Sequence, residues 1–514
     1  MSLLQRRFSR RGFLVAMAAL AAGAGGWFLF GRKGTPRLPS LHLGDSHDLS
    51  GPEPYDVIII GSGFAGTVLG RDLVQAGYRT LILESGMAPG GPIDGRVGGL
   101  EVYESEGDTE YPLASTRIRA VGGTSLMWTG RCDRLHPLDF ERNAYTPAGA
   151  AWPIGYAEMD PYYTRAERTL NVRGGRLSAF SPPRKHGFPH QAEWWRVAGL
   201  NSMLGKIGVA LDESPVSRGA EGDSTMRVQR DLLPAFTASP LGHLVPLITA
   251  TRLLTDANGR VTGLETKNLD GQARVLRARA YVVACGGVES PRLLLLSRSE
   301  RAPEGIGNQS GLVGRCFMEH PNVSFSGKVP GMWQLMPLEI SRCHQYYESF
   351  KRDGLGSVLL VFKRTRQEPG WLDIGASIEM KSSGTNAVSL APDRVDALGD
   401  PGTRLRFDFS EEDRKTLDRT RTLIRSLYQK LGARDVTEGA LDWSHHHMGT
   451  CRMGDDPRTS VTDRDLRVHG LQNLYVLGSS VFVTAGASHP TPLIVALAHR
   501  LSDHLSSRLR TLTA

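Results

Sequence analysis

Cysteine is scarce in this sequence, with five among 514 residues, and no two of the five form a C-x-x-C pair. Zinc and iron–sulfur sites, which commonly use such pairs, therefore lack support, and no haem-attachment C-x-x-C-H is present. An odd number of cysteines leaves at least one thiol unpaired unless it bonds to another chain. The sequence thus favours no metal–sulfur or haem centre of its own.

Beyond its N-terminus the sequence also lacks a dense run of lysine and arginine, although its net charge is +8 and its pI is near 9.3. A solvated basic surface explains this scattered charge better than nucleic-acid binding does, so we expect no nucleic-acid partner. The composition, with 40% apolar and 22% charged residues, is that of a soluble globular protein. The length predicts two domains or more.

A targeting segment occupies the N-terminus. Residues 9–14 (SRRGFL) resemble the bacterial twin-arginine export motif, and an apolar stretch continues to Phe30. An A-G-A tripeptide at 22–24 offers a cleavage site. The apolar residues beyond it instead suit a membrane anchor, because the stretch approaches the ~20 residues that a span needs. We expect a twin-arginine signal or anchor over 1–30, a linker over 31–52, and a periplasmic protein, either free or membrane-associated through its N-terminus.

A nucleotide-binding pattern begins at residue 56 and reads DVIIIGSGFAGTVLGRDLVQAGYRTLILESG. Its apolar start predicts a buried parallel strand. Gly61, Gly63 and Gly66 follow at the G-x-G-x-x-G spacing, which allows a tight turn and lets a pyrophosphate approach a helix N-terminus. A second strand then ends at Glu84, where an acid holds an adenosine ribose. Together these features predict dinucleotide binding.

Strand–helix signals of the same type recur near residues 280–291 and 474–501. A nucleotide domain assembled from discontinuous segments, and interrupted by a second domain, explains this distribution. We therefore expect an α/β fold with a parallel sheet built from distant parts of the chain.

Proline and glycine mark several expected boundaries. Residues 151–172 contain two expected helix starts, one at Tyr156 and one after Asp160, which is expected to cap a helix with Pro161 at its first position. The Ser-Pro pair at 290–291 repeats this pattern. The Asn-Gly pair at 258–259 is expected to turn an antiparallel hairpin. A clear helical period covers residues 411–431.

Several motifs, in order along the chain, resemble those of the glucose–methanol–choline (GMC) oxidoreductases, a family of FAD-dependent alcohol-oxidising flavoproteins. Besides the pattern at 56–86, they read GGTSLMWTG (122–130), GGVESP (286–291), GLVGR (311–315), HHMGTC (446–451) and SHPT (488–491). The resemblance covers nearly the whole chain after residue 53. The WPI tripeptide at 152–154 and the HHMGTC–SHPT pairing are most similar to the branch that contains pyranose oxidase and bacterial FAD-dependent sugar and gluconate dehydrogenases.

The resemblance implies a discontinuous Rossmann-like FAD-binding domain and a substrate domain whose antiparallel sheet, flanked by helices, roofs the flavin. We assign residues 53–150, 241–320 and 441–514 to the first domain, and residues 151–240 and 321–440 to the second. The residues that the resemblance implies in FAD binding are Gly61, Gly63, Gly66, Glu84, Gly122, Gly123, Thr124, Ser125, Thr129, Gly478, Ser479, Pro490 and Thr491.

Oxidation of an alcohol moves a hydride from carbon to flavin N5 and a proton from oxygen to a base, for which a neutral histidine is the usual choice. The family pattern selects His446 as this base. It also selects His489, which would hydrogen-bond the substrate hydroxyl or share the proton. Three consecutive histidines at 445–447 equally suit a metal site or a polar surface run. Alternation along an extended strand would point His446 away from its two neighbours. Without a nearby cysteine or acid, we expect no metal.

Two further positions concern the flavin. In pyranose oxidase a histidine bonded covalently to FAD precedes the Trp-Thr pair, and Met127 stands there in this chain. Methionine cannot form the histidyl bond, so we expect noncovalent FAD, with Thr129 near N5.

An acid and a histidine often follow the GLVGR segment in relatives, and here they are Glu319 and His320. For His320 we favour a structural role.

These observations predict an FAD-dependent enzyme that oxidises a CH–OH group of a small molecule, a sugar, polyol or glycoside. The alternatives are an FAD-containing lyase that cleaves hydroxynitriles, an oxidase of a non-sugar alcohol, and a noncatalytic flavin-binding partner. Oxidase and dehydrogenase activity are not distinguished. Because the chain has no haem motif, a dehydrogenase would need an external electron acceptor, such as a small subunit or a cytochrome.

Overall fold

The structure is a computed structural model, which describes residues 55–87, 99–175, 177–185, 187–190, 194–219, 225–331, 341–363, 368 and 370–511. The expected signal or anchor (1–30) and linker (31–52) lie outside these residues. All described residues belong to one unit by their contacts, so the boundaries between the two expected domains stay a prediction. Within the described ranges, every helix is too short or too polar to cross a bilayer.

The strands of the described residues fall into five sheets. In chain order they are β1 (Tyr55–Ile60), β2 (Thr80–Leu83), β3 (Tyr103–Glu106), β4 (Val172–Arg173), β5 (Asp212–Glu213), β6 (Val216–Ser217), β7 (Gly242–Val245), β8 (Ile248–Thr255), β9 (Val261–Asn268), β10 (Ala273–Leu276), β11 (Ala278–Val283), β12 (Pro321–Lys328), β13 (Ser341–Cys343), β14 (Val358–Lys363), β15 (Trp371–Ile378), β16 (Ala387–Val395), β17 (Pro401–Arg406), β18 (Arg434–Glu438), β19 (Asp442–Trp443) and β20 (Leu474–Val476).

The α-helices of the described residues pack on these sheets. They are α1 (Phe64–Gln75), α2 (Tyr156–Thr169), α3 (Trp194–Gly205), α4 (Leu233–Thr237), α5 (Gly286–Leu296), α6 (Tyr347–Arg352), α7 (Glu411–Lys430) and α8 (Thr491–Thr511). A π-helical turn (Val228–Leu232) precedes α4, and short 3₁₀ turns cover Leu113–Ser115, Gly123–Met127, Pro137–Asp139 and Ser479–Val481.

A five-stranded parallel sheet forms the first layer, in the order β20-β11-β1-β2-β7. Its central strand β1 is an apolar run that lies buried between β2 and β11, as parallel sheets require. Helices α1 and α2 both pack against α8. The sheet draws its strands from three distant segments of the chain, which confirms the expected discontinuous α/β fold. The carboxyl ends of β1, β2, β11 and β20 meet at one edge, where ligands bind in such sheets.

An antiparallel sheet forms the second layer, in the order β18-β12-β15-β14-β13-β5, with β19 also paired to β12. Helix α7 packs against β12 and β15. This helix begins where expected, because Ser410 and Asp413 form a reciprocal capping box at its start. The expected hairpin at 258–259 is also present, since β8 and β9 pair antiparallel on either side of it.

Of the expected helix starts, the one at Tyr156 is confirmed, and those at Pro161 and Ser290 are wrong. Helix α2 begins at Tyr156 and continues through Pro161, and α5 begins at Gly286. The predicted cap at Asp160 is therefore wrong, and its buried carboxylate instead accepts a hydrogen bond from Arg134 Nη1 at 2.7 Å. Both helices include their proline because a proline in the second turn removes only one backbone hydrogen bond, which surrounding contacts can outweigh.

Candidate active site

A cavity of about 650 Å³ opens at the carboxyl edge of the parallel sheet and extends beneath the antiparallel sheet. The predicted site residues that line it are Gly61, Gly63, Glu84, Gly123, Thr124, Ser125, Thr129, His446, Gly478, Ser479, His489, Pro490 and Thr491. Gly66 and Gly122 are not among its lining residues. A separate surface groove contains none of the predicted site residues.

The glycine turn after β1 is shaped by close backbone contacts. Gly61 has φ +106°, and a Cβ there would lie 2.6 Å from the Ala284 carbonyl oxygen. A Cβ at Gly66 would lie 2.0 Å from the Gly61 carbonyl oxygen, so Gly66 holds α1 against the turn and does not face the cavity. Gly122 likewise acts through its backbone, because its N–H donates to Ser62 Oγ at 2.9 Å.

The N-terminus of α1 has features that favour binding of an anion. Its N-cap residue, Gly63, forms no side-chain capping bond, and its first turn contains no acidic residue. The first N–H groups of a helix have no partner within the helix and favour negative charge. A phosphate in the cavity would therefore meet free backbone donors here.

Glu84 lies at the end of β2, with its carboxylate buried on the cavity wall. Its Oε2 accepts from Ser62 Oγ at 2.7 Å and from the Ser62 N–H at 3.2 Å, and its Oε1 accepts from the Gly86 N–H at 2.9 Å. A carboxylate has about four acceptor positions, so one position remains for a ribose hydroxyl. At the other side of the cavity, a Cβ on Gly478 would meet no protein atom within 4 Å. The space and the donor set fit a dinucleotide.

The three consecutive histidines do not lie in an extended strand, because His445 has φ +62° and residues 444–447 fall between strands. The expected alternation is therefore wrong, although the side chains do separate. His447 Nε2 lies 3.0 Å from both Tyr111 Oη and Thr116 Oγ1. His446 instead faces His489, with ring centroids 5.4 Å apart and planes at 82°. The structure thus brings together the two predicted catalytic residues.

His446 is held in one tautomer by His320. The two Nδ1 atoms lie 2.9 Å apart, and His320 Nε2 lies 3.4 Å from the Ala485 carbonyl oxygen. A carbonyl only accepts, so the network places the His320 proton on Nε2 and leaves its Nδ1 as an acceptor. His446 must then donate from Nδ1, which leaves the lone pair of its Nε2 free.

Burial keeps both of these imidazoles neutral. It lowers the pKa of His446 well below 6.5, and the adjacent histidines, His320 first, lower this pKa further. Burial also lowers the pKa of His320 to about 4. His446 therefore rests as a neutral ring with an available lone pair, as a general base requires.

Glu319 fixes the backbones of both histidines. Its Oε1 accepts the N–H of His320 at 2.7 Å and the N–H of His446 at 2.8 Å. Its Oε2 accepts from the Tyr111 hydroxyl. Burial raises the pKa of Glu319 to about 7. This carboxyl group joins the segment before β12 to the histidine triplet.

The hydrogen-bond partner of His489 is a carboxylate. Its Nδ1 lies 3.1 Å from Asp133 Oδ2, and Arg342 Nε lies 3.3 Å from the same oxygen. Burial alone would raise the pKa of Asp133, but Arg342, and then His489, hold it well below its usual range. The ionised carboxylate accepts the Nδ1 proton of His489 and leaves Nε2 free. Burial lowers the pKa of His489 to about 4 despite this partner.

Asp133 and Arg342 are functional candidates that the sequence did not indicate. Neither lies in one of the family motifs, and Asp133 is separated from His489 by 356 positions. Glu319 and His320 were visible as an acid–histidine pair after GLVGR. The structure gives His320 a direct contact with His446, whereas the sequence favoured a structural role.

Other predicted features have clear positions. Met127 is exposed to the cavity, and Trp128 packs edge-on against Phe64, with ring centroids 4.8 Å apart. All five cysteines are free thiols. Within the described residues, no cluster of three or more His, Cys, Asp or Glu side chains is arranged to hold a metal ion.

Comparisons with known proteins identify the family of this chain. Two GMC oxidoreductase family models match residues 222–322 and 382–498. The chain is 30% identical over 512 residues to paromamine 6'-oxidase of Streptomyces fradiae, covering 88% of this chain and 92% of that enzyme. It is 25% identical over 534 residues to the fructose dehydrogenase large subunit of Gluconobacter japonicus, covering 88% and 98%.

The chain belongs to the GMC oxidoreductase family. The crystal structure of pyridoxine 4-oxidase from Mesorbium loti has the same fold, with a TM-score of 0.65 at 19% identity, covering 88% of this chain and 99% of that one. The predicted family and fold class are confirmed, and the protein is an oxidoreductase. FAD, the cofactor of the family, fits the cavity described above.

Proposed function

We propose that this protein oxidises a CH–OH group of a sugar, polyol or glycoside, with bound FAD as hydride acceptor and His446 as general base. The proposal depends on one observation: the rings of His446 and His489 face each other, with centroids 5.4 Å apart, in a cavity that is also lined by a glycine turn of the dinucleotide-binding type. Relatives named for fructose and for paromamine support a sugar-derived alcohol as substrate.

The chain provides a separate group for each part of the cofactor. Backbone N–H groups at the start of α1, shaped by Gly61 and Gly66, would hold the pyrophosphate, and Glu84 would hold the ribose. Residues 478–479 would also contact the pyrophosphate, residues 122–129 would lie along the isoalloxazine ring, and residues 490–491 would reach the pyrimidine edge of the flavin. When bound, FAD supplies the hydride acceptor.

His446 would take the hydroxyl proton through Nε2. Its Nδ1 proton is engaged by His320, so Nε2 is the nitrogen that can accept. Because the pKa of His446 is lowered, the ring cannot deprotonate an alcohol that has not begun to react. The proton must therefore move as the hydride leaves, which requires the hydroxyl to contact the ring throughout.

His489 would orient the same hydroxyl or share its proton. Asp133 Oδ2 accepts a hydrogen bond from His489 Nδ1, with the two atoms 3.1 Å apart. A positive charge on His489 would be offset by this carboxylate. A carboxylate behind an imidazole fixes the tautomer and stabilises the imidazolium.

The decisive experiment is anaerobic titration of the purified yellow protein with sugars, polyols and aromatic alcohols. An oxidoreductase of CH–OH groups loses its flavin absorbance in the visible range when its substrate is added. A hydroxynitrile lyase leaves the flavin oxidised with every compound, and that result would refute the proposal. Admission of air then separates an oxidase, which regains its colour at once, from a dehydrogenase that needs an external acceptor, a small subunit or a cytochrome.

Noncovalent attachment of FAD and export are parts of the same proposal. Met127, exposed to the cavity, occupies the position where pyranose oxidase has its covalently bonded histidine. Acid precipitation should release all flavin into the supernatant, and yellow precipitate would contradict this.

Export by the twin-arginine route predicts periplasmic or membrane-bound enzyme, and replacing Arg10 and Arg11 by lysine should retain it in the cytoplasm.

A further inference from the structure

A buried ion cluster lies behind the loop that leads to His489. It consists of Asp139, Glu379 and Lys351, whose side chains are at most 5% exposed. Lys351 Nζ lies 2.5 Å from Glu379 Oε2 and 3.4 Å from Asp139 Oδ1. Removing charges from water is costly, and a buried ion pair is a weak source of stability. Stability alone therefore does not account for this cluster.

The two carboxyl groups of the cluster hold successive backbone N–H groups of one loop. Glu379 Oε1 accepts the N–H of Gly486 at 3.3 Å. Asp139 Oδ2 accepts from the Tyr347 hydroxyl at 2.6 Å, and the Tyr347 oxygen accepts the N–H of Ala487 at 3.0 Å. Gly486 has φ +58°, and a Cβ there would lie 2.7 Å from Asp139 Oδ2. The loop is thus packed tightly against the cluster and fixed by it.

One peptide group joins Glu379 to the proposed base. The peptide between Ala485 and Gly486 donates its N–H to Glu379, and its carbonyl oxygen lies 3.4 Å from His320 Nε2. His320 Nδ1 in turn lies 2.9 Å from His446 Nδ1. An amide N–H only donates and a carbonyl only accepts. Every hydrogen bond between His446 and Glu379 therefore has the same direction, with its donor on the side of His446.

A chain of hydrogen bonds with one direction is polarised by a charge at its end. The carboxylate of Glu379 makes the peptide carbonyl a stronger acceptor, which favours the His320 proton on Nε2. Burial lowers the pKa of His320 to about 4, while the Ala485 carbonyl and then the charge of Glu379 act in the opposite direction. Lys351 and both donors of Ser357 contact the other oxygen of Glu379, Oε2, so that Oε1 holds the peptide.

We propose that Glu379 is a positioning residue for the base. It acts on His446 through the peptide at 485–486 and His320, and it keeps Nε2 of His446 free to take the substrate proton. Lys351 holds the carboxylate of Glu379 in place. This inference rests on the proposed function and adds to it a residue outside the cavity lining.

The test is a double-mutant cycle between this ion pair and His320 in the FAD-loaded enzyme. Anaerobic stopped-flow absorbance, with the alcohol that reduces the flavin fastest in the titration, gives the rate constant of flavin reduction and the dissociation constant of the substrate. Lys351→Met/Glu379→Met replaces the pair by apolar chains of similar length and leaves neither charge unpaired. The rate constant should fall about 20-fold, as for loss of an orienting partner, while the dissociation constant stays within about twofold.

The His320→Ala background decides how the ion pair acts. There the same double change should have no further effect on the rate constant, because the peptide carbonyl no longer holds an imidazole proton. An equal loss in both backgrounds would mean that the pair acts by another route, and the inference would fail. It would also fail if the double change left the rate constant of the enzyme with His320 unaltered.

Glu379→Gln provides a second, milder variant. Its amide oxygen still accepts the N–H of Gly486, and Asp139 still lies 3.4 Å from the charge of Lys351. The rate constant should therefore fall less than in the double variant, and again only when His320 is present. If Lys351→Met/Glu379→Met does not fold, the cycle of Glu379→Gln with His320→Ala decides by the same criterion.

Asp72→Asn is the matched control, because Asp72 is a buried carboxylate with basic partners on helix α1. Its side chain is 9% exposed, and its Oδ2 lies 3.3 Å from Arg165 Nη2 and 2.5 Å from His499 Nδ1. Asp72→Asn should lower the stability to urea and leave the rate constant of flavin reduction unchanged. A comparable fall in the rate constant would show that the rate merely follows stability, and the inference would be lost.

Failure of this inference differs from failure of the proposed function. If His446→Ala is slow and the variants of the ion pair are as fast as the wild type, the base stands and only the inference is lost. If none of the CH–OH compounds reduces the flavin, the proposed function itself is wrong.

Discussion

The two imidazoles that we propose to be catalytic have the same arrangement of ring nitrogens but opposite electrostatic surroundings. Each ring donates a hydrogen bond from Nδ1 and leaves its Nε2 free. The acceptor for His446 is a neutral His320, whereas the acceptor for His489 is an ionised Asp133. Each also depends on one buried carboxyl group. Burial raises the pKa of Glu319 to about 7, whereas Arg342 keeps the pKa of Asp133 below its usual range. A nearby guanidinium therefore decides whether a buried carboxyl group is charged.

This difference divides the work between the two histidines. A proton on His446 would have no opposite charge beside it, so His446 can hold the proton only while the substrate reacts. A proton on His489 would be stabilised by Asp133. Because we propose His446 as the base, we expect the rate to depend most on His446 and the orientation of the hydroxyl to depend on His489.

The largest expected effect comes from removing the proposed base. His446→Ala should lower the rate constant of flavin reduction about 10³-fold, within the range for a lost general base. His489→Ala should lower it about 30-fold, because the base remains while the hydroxyl loses one partner. Anaerobic stopped-flow absorbance measures both constants. An equal or greater loss in His489→Ala would reverse the roles given to the two rings.

The second effect concerns the stability contributed by Glu319. The pKa of this carboxyl group is higher in the folded protein, about 7, than its ordinary value of 4.5. The folded state therefore binds the proton more tightly, and this contribution is fully present below pH 4.5 and is lost as the pH rises to 7. The loss amounts to about 3 kcal/mol in the free energy of unfolding.

Urea unfolding of the holoenzyme at several pH values measures this contribution. Glu319→Gln should lack the decline between pH 4.5 and 7, while the decline below pH 4 that Asp133 causes should persist, because the pKa of Asp133 is lowered. Parallel pH profiles for wild type and Glu319→Gln would show that Glu319 does not titrate in this range.

The third effect tests the tautomer of His446. His320→Ala removes the acceptor of the Nδ1 proton and should lower the rate constant of flavin reduction about 30-fold, as loss of an orienting partner does. His320→Gln, which offers an amide oxygen, should recover part of this loss. If His320→Gln is as slow as His320→Ala and both bind substrate normally, the contact serves packing and does not set the tautomer.

The sequence revealed the local parts of the site and missed the long-range ones. The segment from Gly61 to Glu84 is readable because its spacing is determined by one turn and one helix. Asp133 and Arg342 carry no such pattern, since they reach His489 only through the folded arrangement of two sheets. The expected alternation of the histidines failed at His445, whose positive φ cannot be read from residue type.

The smallest expected effect on the rate comes from changing Asp133, the ionised partner of His489. Asp133→Asn keeps an acceptor for the Nδ1 proton of His489 but removes the charge that stabilises a proton on this ring. The rate constant of flavin reduction should fall about tenfold, much less than in His446→Ala, if His446 is the base. A fall of about 10³-fold would instead mean that the proton ends on His489. Stopped-flow measurement of both variants with one substrate therefore identifies the ring that accepts the proton.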